Sequence, residues 1–526
     1  MGNVAKTPEP SLWPEKEISS AEPGPSTPET KPEARFQAVD RKQLLWRPVD
    51  VEKLVETDHL VRAIWELVEQ LDLSSYTVEV KSVEGAAGRP AIDPRLLISL
   101  WVYAYSEQVS SAREVERRCA YHPAYQWLTG MVEINHHTLS DFRVQHQKAL
   151  DELFAQLLGV LSSERLITLE RVAHDGTKVK ASASGKSFRR EKTLRRHLEA
   201  ARERVRAMGD PREEDVGQRA AAARERAARE KVGKLEQALK EMQQVQAAAG
   251  TEAEKEQRRV SETDPQARVM RQSDGGFAPS HNVQLSTDAA YGIIVGVGVT
   301  QEVNDQQQLV PAVEEIQRQT GRWPEQMVVD DGFTTRENVL AMAHQGVDLI
   351  GSGSPLERDP EAGRRSLRRR GVDPAFYPQQ FRYDAASNSY SCPAGKTLPY
   401  QTTRHDRVGV EQKVYKARAA DCRACAFRQQ CRAGASGRRI VRSENVPEVA
   451  AYVAKMQTEE ARAAYRARSP VAEFTNAWLK AKLGLRQFCV RGLKKARCEV
   501  LWAALTYNIQ HWFRLRWKVR LRLATA

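Results

Sequence analysis

Three acidic residues stand where short structural signals converge, and together they could serve phosphoryl-transfer chemistry. Asp175 lies in His174-Asp175-Gly176-Thr177, Asp330 opens Asp330-Asp331-Gly332-Phe333, and Glu473 lies in Ser469-Pro470-Val471-Ala472-Glu473-Phe474. Each aspartate follows a short apolar or β-branched stretch and precedes a glycine, which lets a substrate backbone come close. Cleaving a phosphodiester requires an activated water or 3′-hydroxyl and relief of the charge that builds on the leaving oxygen. A pair of magnesium or manganese ions roughly 4 Å apart supplies both. Such hard cations take oxygen ligands and use few carboxylates, so three acids in one cleft suffice. Taken singly, each aspartate is equally well explained as the cap of a following turn or helix, and Asp331 competes directly with Asp330. Lys480 follows Glu473 by seven residues, which sets both on one face of a helix. There Lys480 could hold a phosphate beside the metals, although a solvated Glu and Lys stripe has the same pattern.

A second group has metal-binding character. Cys392, Cys422, Cys425 and Cys431 include one Cys-x-x-Cys pair, but Pro393-Ala394 after Cys392 brings no second thiol, so half of the usual double knuckle is missing. A structural zinc ion and a reduced thiol cluster without metal both fit. Catalytic zinc does not, because no histidine or carboxylate accompanies the set. The full count of seven cysteines is odd and low for 526 residues, which argues against a secreted disulfide scaffold.

The elements that must position these groups change character along the chain. Residues 1–34 are rich in Pro, Glu, Ser and Thr and hold too little apolar surface to offset the entropy of ordering, so a disordered tail is expected. Residues 35–165 are expected to form a helical, DNA-binding N-terminal domain. Leu54, Leu60, Ile64, Leu67, Val68 and Leu71 recur at helical spacing. Gly88-Arg89-Pro90 interrupts the chain before Asp93-Pro94, and a buried helix follows through Leu97, Leu100, Trp101 and Tyr105. Asn135 to Arg143 reads either as a helix-turn-helix recognition element or as the wet face of a bundle.

From 166 to 526 strands alternate with helices. A strand over 166–173 is predicted to end at Asp175. Residues 281–288 and 293–297 form a hairpin, a helix runs through Leu309 and Ile316, a strand covers 326–329, a helix 335–345 and a last strand 348–351. Residues 187–262, dominated by Ala, Arg, Glu, Lys and Gln, form a polar helical insertion that reads as a solvated spacer. Residues 355–450 form a second, basic insertion that opens with Arg364-Arg365 and Arg368-Arg369-Arg370 and carries the cysteines. The order of three strands, helix, strand, helix, strand is that of a ribonuclease-H-like fold. In such a fold a mixed sheet brings acids from its first and fourth strands to one edge. The predicted class is therefore α/β, of the α+β kind, preceded by an all-helical domain.

Charge points to a polyanionic partner: 81 Lys and Arg against 68 Asp and Glu give +13. After Glu473, the basic run Arg486, Arg491, Lys494, Lys495 and Arg497 suits backbone phosphates and leads into an apolar helix over 500–513. The closing alternation of Arg or Lys with Leu, Trp and Val over 514–523 reads as a membrane-surface or aggregation-prone strand. No apolar run approaches the roughly 20 residues that cross a bilayer, so a soluble, intracellular chain without a membrane partner is expected.

His174-Asp175-Gly176-Thr177 and Asp330-Asp331-Gly332-Phe333, with Tyr465, Arg468, Glu473 and Lys480, resemble the DDE transposases of bacterial insertion sequences. Within these the chain is similar to the family numbered eleven-eighty-two, related to the insertion-sequence-four group and its final Tyr, Arg, Glu, Lys motif. Gly88-Arg89-Pro90, Asp93-Pro94, Trp127-Leu128-Thr129-Gly130 and His136-His137-Thr138 resemble the helical domain that precedes the core there. Four residues separate Arg468 from Glu473, where that motif has three. The resemblance implies that Asp175, Asp330 (rather than Asp331) and Glu473 hold magnesium or manganese, with Tyr465, Arg468 and Lys480 at the DNA. It further implies cleavage at the element's terminal repeats and strand transfer into target DNA, by a homodimer at the bacterial nucleoid. The alternatives are a nuclease without joining activity and a catalytically silent DNA-binding protein derived from a transposase.

Overall fold

The computed structural model describes residues 48–78, 90–208, 218–352, 367–405, 411–443 and 446–525, with Lys42, Leu44 and Trp46. The expected tail over 1–34, Gly88-Arg89 and Arg364-Arg365 lie outside the described residues. Asp50–Ala526 form one compact unit, which holds the described helices and strands.

The longer helices that come first are α1 (Leu60–Glu69), α2 (Pro94–Ser106), α3 (Ala112–Tyr121), α4 (Pro123–Thr129), α5 (His136–Gln145) and α6 (Gln147–Ser163), with short helical turns at Val51–Leu54 and Ser74–Thr77. Their starts follow local chemistry. The Asp93 carboxylate caps the Arg95 N–H with Pro94 in the first turn, His122 and Pro123 do the same for α4, and Asn135 accepts from the His137 N–H. On α5, Arg143 is buried. It donates to the Ser110 carbonyl and its guanidinium lies 4.8 Å from the Trp101 ring, so it is a packing residue and leaves His137, Thr138, Asp141 and Gln145 as the exposed polar surface of the helix.

The main sheet contains β1 (Arg171–Lys180), β2 (Arg268–Arg271), β3 (Phe277–Asp288), β4 (Ile293–Thr300), β5 (Gln326–Val328) and β6 (Asp348–Ile350). The order is β2-β3-β1-β5-β6, with β4 also on β3. β1 to β4 pair antiparallel, whereas β5 and β6 run parallel to β1 and to each other. β1 begins and ends later than the sequence predicts, which puts Asp175 mid-strand. Its second half, Thr177 to Lys180, looks polar locally but pairs along its whole length with β3. Helices α9 (Leu309–Thr320) and α10 (Arg336–Gln345) connect β4, β5 and β6; Thr335 caps α10. Between β1 and β2 the polar insertion folds as a hairpin of α7 (Glu191–Ala207) and α8 (Gln218–Ala247), closed by a small core of Leu194, Leu198, Leu235, Ala238 and Met242.

After β6 a separate five-stranded antiparallel sheet forms from β7 (Arg382–Asp384), β8 (Ser389–Ser391), β9 (Thr397–His405), β10 (Glu411–Lys416) and β11 (Arg439–Ser443). Helices α11 (Pro447–Met456), α12 (Glu459–Arg466), α13 (Arg468–Lys482) and α14 (Leu493–Trp512) return the chain to the main sheet. α14 is buried on every face through Val500, Leu501, Trp502, Ala503, Ala504 and Leu505, because α2 and α6 cover one side and β4 the other. Each fully buried large side chain there contributes on the order of 1.5–3 kcal/mol. Directional bonds fix its position: Trp502 donates to the Arg143 carbonyl, and the Asn508 amide both accepts from the Ile294 N–H and donates to the Ile294 carbonyl. The helical region and the sheet thereby share one core. The chain's end corrects the expected strand: it continues as a π-helical turn, Phe513–Trp517, and a helix, α15 (Lys518–Thr525). Arg514, Lys518 and Arg520 lie over the rings of Trp478, Phe513 and Trp512, and Trp517 donates to Glu66. No helix among the described residues is long and apolar enough to cross a membrane.

Candidate active site

The parallel ladder between β1 and β5 ends with Ala173 paired to Val328, and Asp175 and Asp330, each two residues further on, feel each other's charge. Asp330 lies just past the end of β5, where its carboxylate turns back to accept the Gly332 N–H at 2.9 Å. Asp175 accepts the Gly176 N–H at 3.0 Å and the Asn476 side-chain amide at 2.8 Å, and the Arg468 guanidinium stands 3.9 Å away. Burial pushes the Asp175 carboxyl up to about 6. Arg468 opposes the shift, and the neighbouring charges of Asp330 and Asp305 add to it. Asp330 is raised in the same way, again first by burial, with the Gly332 N–H and Arg468 opposing. Asp331 is exposed and faces Tyr465, whose hydroxyl donates to it at 3.4 Å.

A third carboxylate in this cleft carries no local signal in the sequence. Asp305, in the connection from β4 to α9, accepts Asn282 at 2.6 Å and Gln284 at 2.7 Å on one oxygen, and Lys178 contacts both oxygens at 3.3 and 3.1 Å. It lies so close over β1 that a Cβ on Gly176 would fall 2.4 Å from its Oδ1, while one on Gly332 would meet the Asp305 Cβ at 3.9 Å. Asp305 therefore lies on the face of β1 that carries Gly176 and Lys178, within electrostatic reach of both strand acids, and Gly176 is glycine to admit it. Behind it, buried His174 bonds Gln284 through Nε2 at 3.0 Å and Ser286 through Nδ1 at 2.9 Å. Since the Gln284 oxygen must accept, the imidazole proton is on Nε2 and Ser286 donates to Nδ1. Burial holds this histidine neutral, its pKa pushed down to about 4.

α13 closes the cleft. Its helix starts at Arg468, one residue before the predicted cap Ser469, because the turn after α12 is itself helical at Ala467. Ala472, Thr475, Asn476 and Leu479 face inward. Arg468, Asn476 and Lys480 border Asp175; the Lys480 ammonium is lowered by burial and sustained by the Asp175 charge. Glu473 is exposed on the solvent side of α13 and, among the described residues, makes no hydrogen bond or ion pair. Among these residues no three His, Cys, Asp or Glu side chains are arranged to share a metal ion. Of the sequence-derived set, Asp175, Asp330, Arg468 and Lys480 are brought together, Tyr465 borders them through Asp331, and Glu473 stands apart.

The basic run lies at the far end of β1, where the Lys180 N–H donates to the Arg486 carbonyl and Phe488 donates back to Lys180. Arg486, Arg491, Lys494 and Lys495 are exposed. Arg497 is not part of that surface: it donates to Asp151 at 2.6 and 2.7 Å and to Glu315 at 3.0 Å, tying α14 to α6 and α9. Cys392, Cys422, Cys425 and Cys431 line one cavity in the second sheet region, and all seven cysteines are free.

Comparison with known proteins bears on both ends of this arrangement. Residues 49–145, spanning α1 to α5, match the family model described as Transposase domain (DUF772), and residues 391–513 match the one described as Transposase DDE domain. No curated protein and no solved structure matches the chain. The second match runs from the cysteine-bearing region through Arg468, Glu473 and Lys480 to the end of α14, and with the first it supports a DDE transposase of an insertion sequence.

Proposed function

We propose that this chain cuts DNA at the terminal repeats of a mobile element and joins the freed 3′-hydroxyl to target DNA, using a ribonuclease-H-like sheet of strand order β4-β3-β1-β5-β6. The observation that carries the reading is the neighbouring pair Asp175 and Asp330, bordered by Arg468, Asn476 and Lys480 of α13. Two part-buried carboxylates whose negative charges raise one another's proton affinity are a pair that a hard divalent cation would relieve. Asp175 and Asp330 would hold magnesium or manganese, which when bound supplies charge relief at the leaving oxygen and an acidified water. Asn476 orients Asp175, while Arg468 and Lys480 are poised to grip the scissile phosphate from the helix side. Glu473, three residues before Asn476 on α13, is the third acid in this reading, which requires its carboxylate to turn inward once metal and DNA are present. The exposed Arg486, Arg491, Lys494 and Lys495 extend the phosphate track beyond the cleft, and two copies of the chain would hold the two element ends.

The test is a magnesium-dependent cleavage and strand-transfer assay on duplex DNA bearing the element's ends. Asp175→Ala, Asp330→Ala and Glu473→Ala should each abolish both reactions and leave DNA binding within about twofold of the parent. Undiminished cleavage in any one variant removes that residue from the set. The exposure of Glu473 favours the second reading, a silent DNA-binding descendant, and any metal-dependent cleavage by the parent chain excludes it.

A further inference from the structure

The region from Leu367 to Ser443 packs around only small apolar cores of its own. Its buried apolar residues fall into two patches, Phe381, Leu398, Tyr415, Ala417 and Ile440 in one and Val372, Phe376, Tyr377 and Cys431 in the other. Units with cores of this size ordinarily depend on a metal or on disulfides, and here all the cysteines are free. The four thiols lie between the patches: Cys392 and Cys422 pack against the first, and Cys431 belongs to the second.

We propose that Cys392, Cys422, Cys425 and Cys431 bind one structural zinc ion that pins these two patches together. Three observations carry this. First, the four side chains line a single cavity of about 20 Å³, room for a small occupant. Second, the backbone around the sulfurs is arranged as donors: the Lys396 N–H points at the Cys392 sulfur at 3.2 Å, and the Arg438 N–H at the Cys422 sulfur at 3.3 Å. The first of these belongs to a tight turn, Cys392 to Lys396, with Gly395 at φ 73°. Such N–H···S bonds are the outer-shell support that thiolate ligands use. Third, Arg438 is buried with no carboxylate partner among the described residues. Its guanidinium donates only to the carbonyls of Phe376 and Cys431 and lies 5.5 Å from the Phe381 ring. A buried cation without a counterion is costly, and four thiolates around one zinc carry a net charge of about −2 that answers it. The sulfurs line the cavity without converging on one point. Bound there, zinc would be held by the four sulfurs as thiolates, with their thiol protons released to solvent.

The experiment uses the full chain expressed with zinc supplementation and dialysed before metal analysis. About one zinc per chain is expected, retained in the Asp175→Ala/Asp330→Ala variant and lost in Cys422→Ser/Cys425→Ser. Cobalt substitution of the parent protein should give thiolate charge-transfer and tetrahedral ligand-field bands, a readout that does not depend on the cysteine variant folding. Parent protein free of zinc, zinc that persists without Cys422 and Cys425, or iron with acid-labile sulfide in place of zinc would each overturn the assignment. Zinc content is independent of DNA cleavage, so a failure here is distinguishable from a failure of the transposase reading.

Discussion

Asp305→Ala is the most informative single perturbation, because Asp305 is the hub on which the floor of the cleft depends. It accepts Lys178, Asn282 and Gln284, and the Lys178 and Asp305 side chains are only 19% and 20% exposed. Removing one partner of a buried pair costs roughly 3–5 kcal/mol. The solvent that reaches a fifth of each side chain lowers this to about 2–3 kcal/mol. The two amides left without their acceptor add about 1 kcal/mol, for a total near 3–4 kcal/mol. Urea unfolding followed by tryptophan fluorescence reads the loss. The decisive control is Lys178→Met with Asp305→Leu, which removes both charges and should recover all but about 1 kcal/mol, the residual amide term. An Asp305→Ala chain within about 0.5 kcal/mol of the parent, or a double variant no more stable than the single one, would refute the view of Asp305 as a buried, paired hub.

The same geometry sets further expectations. Gly176→Ala should destabilise the parent chain, since its methyl would meet the pinned Asp305 oxygen at 2.4 Å, and should be better tolerated in the Asp305→Ala background; equal losses in both would contradict the close approach. Lys494→Ala with Lys495→Ala should lower the slope of log affinity against log salt by about 2 without moving the unfolding midpoint. Arg497→Ala should do the reverse, losing about 1–3 kcal/mol of stability from its bonds to Asp151 and Glu315 while the salt slope stays put. His511, pushed down to about 4 by burial with Arg514 adding to the shift, takes up its proton more readily when unfolded. Its contribution to stability is therefore complete above its ordinary value of 6.5 and disappears as pH falls from there towards 4. His511→Gln should flatten that part of the stability profile, and an unchanged slope between the two pH values would count against it.

Residues differ in how well the sequence announces them, and the reason is the range of the interactions that place them. Asp330 is legible because Met327, Val328 and Val329 form a short apolar run that ends beside it. Asp175 is recognisable as strand-borne, but the sequence ends its strand too early, since the pairing of Thr177 to Lys180 with residues of β3 about a hundred positions away leaves no local trace. Asp305 lies among Asn304, Gln306, Gln307 and Gln308, a polar run that reads only as a loop. Its importance comes from Lys178, Asn282 and Gln284, which reach it from two other strands. For α13 the Ser469-Pro470 signal places the start close by, yet it cannot say that Asn476 turns to Asp175 while Glu473 faces outward. The final segment misleads because Arg and Leu alternate with a period of two, and a continuous helix overrides that pattern by laying its basic side chains along Trp478, Trp512 and Phe513.

The all-round burial of α14 has a consequence for how the molecule comes into being. The apolar faces of α2, α6 and β4 are translated long before the helix that covers them, so during synthesis they have no mutual partner and rely on transient shielding. A chain interrupted before Leu493 is left with a gap at its centre, and the Asp175 cleft and the N-terminal helices lose their common wall together. Assembly is thus expected to wait on the emergence of its last large helix, and partial products to expose the apolar faces that this helix covers.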